Sequence, residues 1–164
     1  MYTNFEDLSK SSRLWVYQAD RAFNIEEKEF ILQNGKAFVA SWTAHSKALN
    51  ASIDVKYNQF IVLAVDESKA PATGCSIDKS VHFIKALENE LKINLLDKSK
   101  VAFLKNNEVS LVNLPAVKSK VETDEISADV LTFNNMVTRK EDFETNWLIP
   151  AGKSWMGRFF KTEA

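Results

Sequence analysis

The sequence predicts an α+β fold: one domain, residues 1–164, with a mainly antiparallel sheet and helices packed on it. Three observations predict it. Short β-prone runs come in closely spaced pairs, Ser52–Tyr57 with Phe60–Val65 and Val101–Lys105 with Glu108–Val112, and two residues between runs fit an antiparallel hairpin. Two longer stretches, Ile25–Trp42 and Ser76–Leu91, carry apolar residues at helical spacing. The chain of 164 residues, 45% hydrophobic with 4 Gly and 3 Pro, is rich enough in core formers and poor enough in breakers for a globular body.

The elements follow in order. Arg13–Gln18 is rich in β-formers and reads as the first strand. Asn24 and Glu27 have the spacing of a capping box and open a helix from about Ile25 to Trp42. Its expected buried stripe is Phe30, Ile31, Ala37, Phe38 and Trp42, and Gly35 in its middle predicts a bend or split at Asn34-Gly35. Ser52–Tyr57 alternates as a half-exposed strand; Phe60–Val65 is apolar on both faces and reads as a central strand covered on both sides. Asn58-Gln59 is the expected turn between them.

After a loop from Asp66 to Gly74, a helix from near Ser76 to Leu91 buries Ile77, Val81, Ile84, Leu87 and Leu91. Asn106-Asn107 turns the second hairpin. Pro115 suits the first turn of a short helix reaching Glu122, Val130–Phe133 is a strand, and Thr138 with Glu141 predicts a capping box on a last helix ending near Trp147. Residues 1–100 thus read β-α-β-β-α-β, the order of a ferredoxin-like split βαβ unit, and residues 101–164 add a hairpin and short helices.

Composition excludes several function classes. The 21 basic and 22 acidic residues are spread evenly, 9 against 10 in residues 1–82 and 12 against 12 in 83–164. No global field draws in nucleic acid or an anionic membrane. The longest apolar run, Phe60–Val65, is far short of the ~20 residues of a membrane helix, and the early acidic residues Glu6 and Asp7 argue against a signal peptide; the expected location is the cytoplasm. One Cys makes no internal disulfide. His45 and His82 lack ligand-spaced companions, so neither a metal nor another cofactor is expected.

Gly152-Lys153-Ser154 imitates the end of a phosphate-binding loop, but Trp147 stands where the loop's first glycine belongs and Leu148-Ile149-Pro150-Ala151 supplies no glycine. Cys75 lies at the mouth of the second helix, where the helix dipole favours a thiolate, and Asp78 and His82 share its face. In a catalytic trio His82 would be the base and Asp78 its orienter, although seven residues separate Cys75 from His82, about 10 Å along the axis. Asp66 with Glu67, directly after the central strand, is a further acid–base candidate. From Pro150 to Lys161 the basic residues Lys153, Arg158 and Lys161 interleave with Trp155, Phe159 and Phe160, a composition that fits a C-terminal strand or tail whose aromatics dock on the sheet, then an anchor for a protein partner, and less well, given the even charge, a surface that stacks bases and pairs phosphates.

Trp15-Val16-Tyr17-Gln18-Ala19-Asp20-Arg21, Tyr57-Asn58-Gln59-Phe60, Gly74-Cys75-Ser76-Ile77-Asp78-Lys79-Ser80-Val81-His82-Phe83-Ile84, Thr132-Phe133-Asn134-Asn135 and Trp155-Met156-Gly157-Arg158-Phe159-Phe160 together resemble, over nearly the whole chain, a bacterial family of similar length labelled "ABC transporter ATPase". That label implies ATP hydrolysis; Val62-Leu63-Ala64-Val65-Asp66-Glu67 looks like its magnesium-holding strand, without a phosphate cradle or a Leu-Ser-Gly-Gly-Gln signature. Residues 101–150 are also similar in order to small proline-rich-peptide-binding modules of the glycine-tyrosine-phenylalanine type, without the namesake tripeptide. The expected function is a non-catalytic binding or assembly module whose partner is a protein or a second copy of the chain, with Lys153, Trp155, Arg158 and Phe159 as binding residues. The alternatives are a small thiol-dependent enzyme using Cys75, His82, Asp78 and Asp66, and the ATPase of the family label.

Overall fold

A computed structural model describes residues 1–160. Its backbone forms β1 (Arg13–Gln18), α1 (Ile25–Ala40), β2 (Thr43–Ala44), β3 (Lys47–Ala48), β4 (Asn50–Lys56), β5 (Phe60–Asp66), α2 (Gly74–Leu91), β6 (Lys100–Lys105), β7 (Glu108–Asn113), α3 (Val117–Glu122), β8 (Leu131–Phe133), α4 (Lys140–Asn146) and β9 (Leu148–Pro150), with 3₁₀ turns at Phe5–Asp7, Leu114–Ala116, Ala151–Lys153 and Trp155–Phe160. The class is α+β, and every ladder between named strands is antiparallel.

Three strands pair in the order β1-β5-β4 and four in the order β7-β6-β8-β9. The alternation along β5 explains how the sheets stack. Ile61, Leu63 and Val65 point to one side, into a core with Ile31 and Val39 of α1 and Ile84 and Leu87 of α2. Phe60, Val62 and Ala64 point to the other side, against Ala102 and Leu104 of β6 and Phe133 of β8. Phe103 alternates to the far face of the second sheet and packs with Val117, Val121 and Met156. The result is four layers, helices–sheet–sheet–helices, with β5 buried on both faces as its unbroken apolar run requires.

The order β-α-β-β-α-β holds for the first hundred residues apart from the small β2–β3 hairpin. β6 does not return to the first sheet. The outer edge of β1 is already occupied: Leu14 N–H donates to Thr138 C=O (3.0 Å), Lys140 N–H donates to Ser12 C=O (2.8 Å), and Arg13 bridges Arg139. β6 therefore completes its hydrogen bonds with β7 and β8.

Several local expectations are corrected. α1 is continuous through Gly35, and it ends at Ala40. The glycine is there for close approach: a Cβ would lie 2.5 Å from Ile53 Cδ1. The buried stripe is Ile31, Gly35 and Val39, while Ala37 is exposed. On α2 the stripe is rotated toward Ser76 and Ser80, with Ile84 and Leu87, leaving Ile77 and Val81 half-buried. The β4–β5 turn is centred one residue earlier, on Tyr57-Asn58, both left-handed (φ 51° and 52°), closed by Gln59 N–H donating to Lys56 C=O. The capping box at Asn24 and Glu27 is present. The one expected at Thr138 is absent, because α4 starts a residue later with Arg139 at its N-cap; a Thr73–Ser76 box caps α2 instead.

Candidate functional site

Gly152 N–H is spent on Ala128 C=O (2.8 Å) and Ser154 Oγ donates to Ala151 C=O (2.6 Å). A Cβ on Gly152 would also sit 3.0 Å from Ala128, so the glycine serves a tight packing contact. With these groups turned inward, the turn offers no amide cradle for a phosphate.

Cys75, Asp78 and His82 are all exposed on the outer face of α2. Asp66 is elsewhere, at the end of β5. A backbone N–H from Ser68 (3.0 Å) and the Ser68 hydroxyl hold its carboxyl below the usual carboxylate range. Glu67 accepts from Ala72 N–H (2.9 Å) and lies 3.9 Å from Arg139. None of these side chains lines the groove between Tyr57 and Trp147 or the one beside Phe23 and Asn58, and among the described residues no three His, Cys, Asp or Glu side chains converge as a metal site.

The C-terminal candidates divide. Met156 is fully buried in the outer core. Lys153, Trp155 and Arg158 are exposed, Trp155 at 48%, with its ring 5.9 Å from Phe159 and the Arg158 guanidinium 5.1 Å over Phe159. Lys161 lies outside the described residues.

A groove of about 420 Å³ opens where the β4–β5 turn meets the α4–β9 corner, lined by Val55, Lys56, Tyr57, Phe143, Glu144, Trp147 and Leu148. Its floor is an aromatic stack. Trp147, only 5% exposed, packs against Phe143 (4.6 Å), Phe133 (4.9 Å) and Phe60 (5.1 Å). A polar chain fixes that indole: Nε1 donates to Asn135 (2.9 Å), Asn135 donates to Gln18 (3.0 Å), and Gln18 donates to Lys100 C=O (3.0 Å). Tyr57 lies over this floor, its ring 5.4 Å from Phe133 and 5.8 Å from Trp147, and remains 40% exposed.

Holding a tyrosine left-handed costs about 1–2 kcal/mol. The turn is over-determined by its neighbours: Gln59, buried, accepts Ala19 N–H at its carbonyl (2.8 Å) and donates Nε2 to Ala19 C=O (3.1 Å), while Asn58 C=O accepts Phe23 N–H (2.6 Å). Tyr57 lines this groove, Phe60 and Phe133 pack under it against Trp147, and Gln18 and Asn135 hold that indole from behind, so strings that stand out in the sequence converge on it. No sequence signal gave their convergence, because strands from both sheets and α4 contribute. Among the described residues no helix is long and apolar enough to cross a membrane. Comparison with protein-family models, curated proteins and solved structures found no match.

Proposed function

We propose that the protein is a non-catalytic cytoplasmic binding module whose protein partner docks in the groove beside Tyr57. The observation that carries this reading is Tyr57 itself: a bulky residue in a strained left-handed conformation, partly exposed above a buried and rigid aromatic floor. Such strain persists where surrounding structure enforces it, and it concentrates at ligand-contacting sites. A fixed tryptophan and an accessible tyrosine supply contact area at low entropic cost.

The test is selection of a displayed random-peptide library on the folded protein. Selected peptides should bind Tyr57→Ala at least about tenfold more weakly, with the variant still cooperatively folded. Trp155→Ala is the companion variant, since the exposed Trp155–Phe159 pair and Arg158 favour a second docking surface there. Peptides sensitive to Trp155 and indifferent to Tyr57 would move the binding site to the C-terminal patch. A library that yields no binder would overturn the binding-module reading. The thiol-enzyme and ATPase readings have less support, since Cys75, His82 and Asp66 do not line the groove beside Tyr57 and the Gly152 turn has its amide engaged.

A further inference from the structure

The groove beside Tyr57 is also bordered by an unfinished strand edge. In the β8–β9 ladder Ile149 lies opposite Thr132, and the flanking bonds join Asn134 to Trp147 and Ala151 to Val130. In an antiparallel ladder these alternate, so residues 147, 149 and 151 face β8, whereas the N–H and C=O of Leu148 face outward. Among the described residues no hydrogen bond reaches either group. β9 is the last strand of its sheet, and Pro150 limits the open edge to this one donor–acceptor pair.

The charges at the groove are unbalanced. Lys56 is paired with Asp54 (3.1 Å), while Glu144 has no ion-pair partner within 4.0 Å among the described residues. Glu144 is the acidic residue of the groove lining. Tyr57 contributes an accessible ring face, to which a cation is attracted.

The geometry points to a partner of defined chemistry, an inference that rests on the groove reading above: an extended segment carrying an arginine or lysine, which pairs its backbone with Leu148 and sets the cationic side chain between Tyr57 and Glu144. Strand addition supplies affinity through the main chain, and the side-chain site supplies selectivity.

The probes are three blocked pentapeptides of alternating valine and threonine: one with a central arginine, one with a central glutamate, and the arginine peptide with N-methylated backbone amides. Each is titrated into the full chain and followed at the Leu148 amide and the Tyr57 ring by NMR. The arginine peptide should shift both signals saturably. N-methylation should weaken binding about tenfold or more, because it removes the pairing donors. The glutamate peptide should bind about fivefold more weakly, and Glu144→Gln, an exposed substitution, should largely erase that preference. Equal binding of the N-methylated peptide at Tyr57 overturns strand pairing while the groove remains a binding site. Equal binding of the glutamate peptide overturns the cationic specificity. If no peptide shifts either signal the inference fails, and the groove reading is decided separately by the library selection.

Discussion

Glu27 shows how one side chain can serve a helix end and a loop together. Its carboxylate accepts two bonds from Arg21 (2.7 and 2.8 Å) and the Asn24 N–H (3.0 Å), closing the cap of α1. The Arg21 guanidinium, then the Asn24 amide, lower its pKa from 4.5 to about 2. A folded-state value below the unfolded one means that the stabilisation is fully present above about pH 4.5 and is lost as the pH falls toward about 2. Arg21 is nearly half exposed, so solvent screening reduces what the shift is worth. Glu27→Gln should cost about 1–2 kcal/mol at neutral pH, cap and ion pair together, and the loss should shrink between pH 5 and pH 2. Chemical denaturation across that range measures it; a pH-independent difference would refute the assignment. Cys75, exposed on α2, sits at the other extreme: Cys75→Ser should change stability by no more than about 0.5 kcal/mol.

At the scale of elements, what the sequence made legible is what local chemistry decides. The Asn24–Glu27 cap, the two hairpins, the doubly covered β5 and the Pro115-led short helix follow from spacing, turn residues and alternation. The misreadings have a common cause in tertiary contact. Gly35 reads as a helix breaker until Ile53 of β4 is seen against it, and the α2 stripe rotates because Trp42 donates its Nε1 to Ser76 C=O (2.8 Å) at that helix's buried edge. The groove was illegible for the same reason, since Tyr57, Glu144 and Leu148 become neighbours only when the second sheet stacks on the first. Gly35→Ala separates local from tertiary effects. On an isolated helix it would stabilise by about 1 kcal/mol. Here the new methyl meets three atoms of buried Ile53, at 2.5, 2.9 and 3.3 Å, so the variant should lose about 1–3 kcal/mol. Ile53→Val removes the nearest of those atoms, and a double-mutant cycle should show the two substitutions partly compensating. Additive losses would mean that the glycine is needed for another reason.

Across the whole molecule, no sheet is a separate body. The core between the sheets takes Leu14, Phe60 and Val62 from one and Ala102, Leu104 and Phe133 from the other, with Phe143 and Trp147 closing it. The N-terminal turn and the segment around Met156 are tied into this arrangement. The buried Lys140 ammonium donates to the carbonyls of Phe5 (2.7 Å), Glu6 (3.1 Å) and Leu8 (2.8 Å) and lies 5.0 Å over the Phe5 ring. Lys140→Met removes the ammonium from all three carbonyls, of which Phe5 C=O keeps the Leu8 N–H, and should cost about 2–4 kcal/mol. At the other face Met156 is 0% exposed, packed with Phe103 and Val121. The segment Ser154–Phe160 is thus part of the fold as well as the carrier of Trp155, and removing it should unfold the outer layer. Met156→Ala should cost about 2–5 kcal/mol. Because Phe103 sits in β6 between neighbours that belong to the inter-sheet core, the loss should be felt beyond the outer layer. Trp147 fluorescence, read in variants whose other tryptophans are replaced, and far-ultraviolet circular dichroism should shift to the same lower midpoint in one transition. Separate midpoints, with Trp147 unmoved by Met156→Ala, would show the outer layer melting on its own and would break the link between the C-terminal segment and the groove.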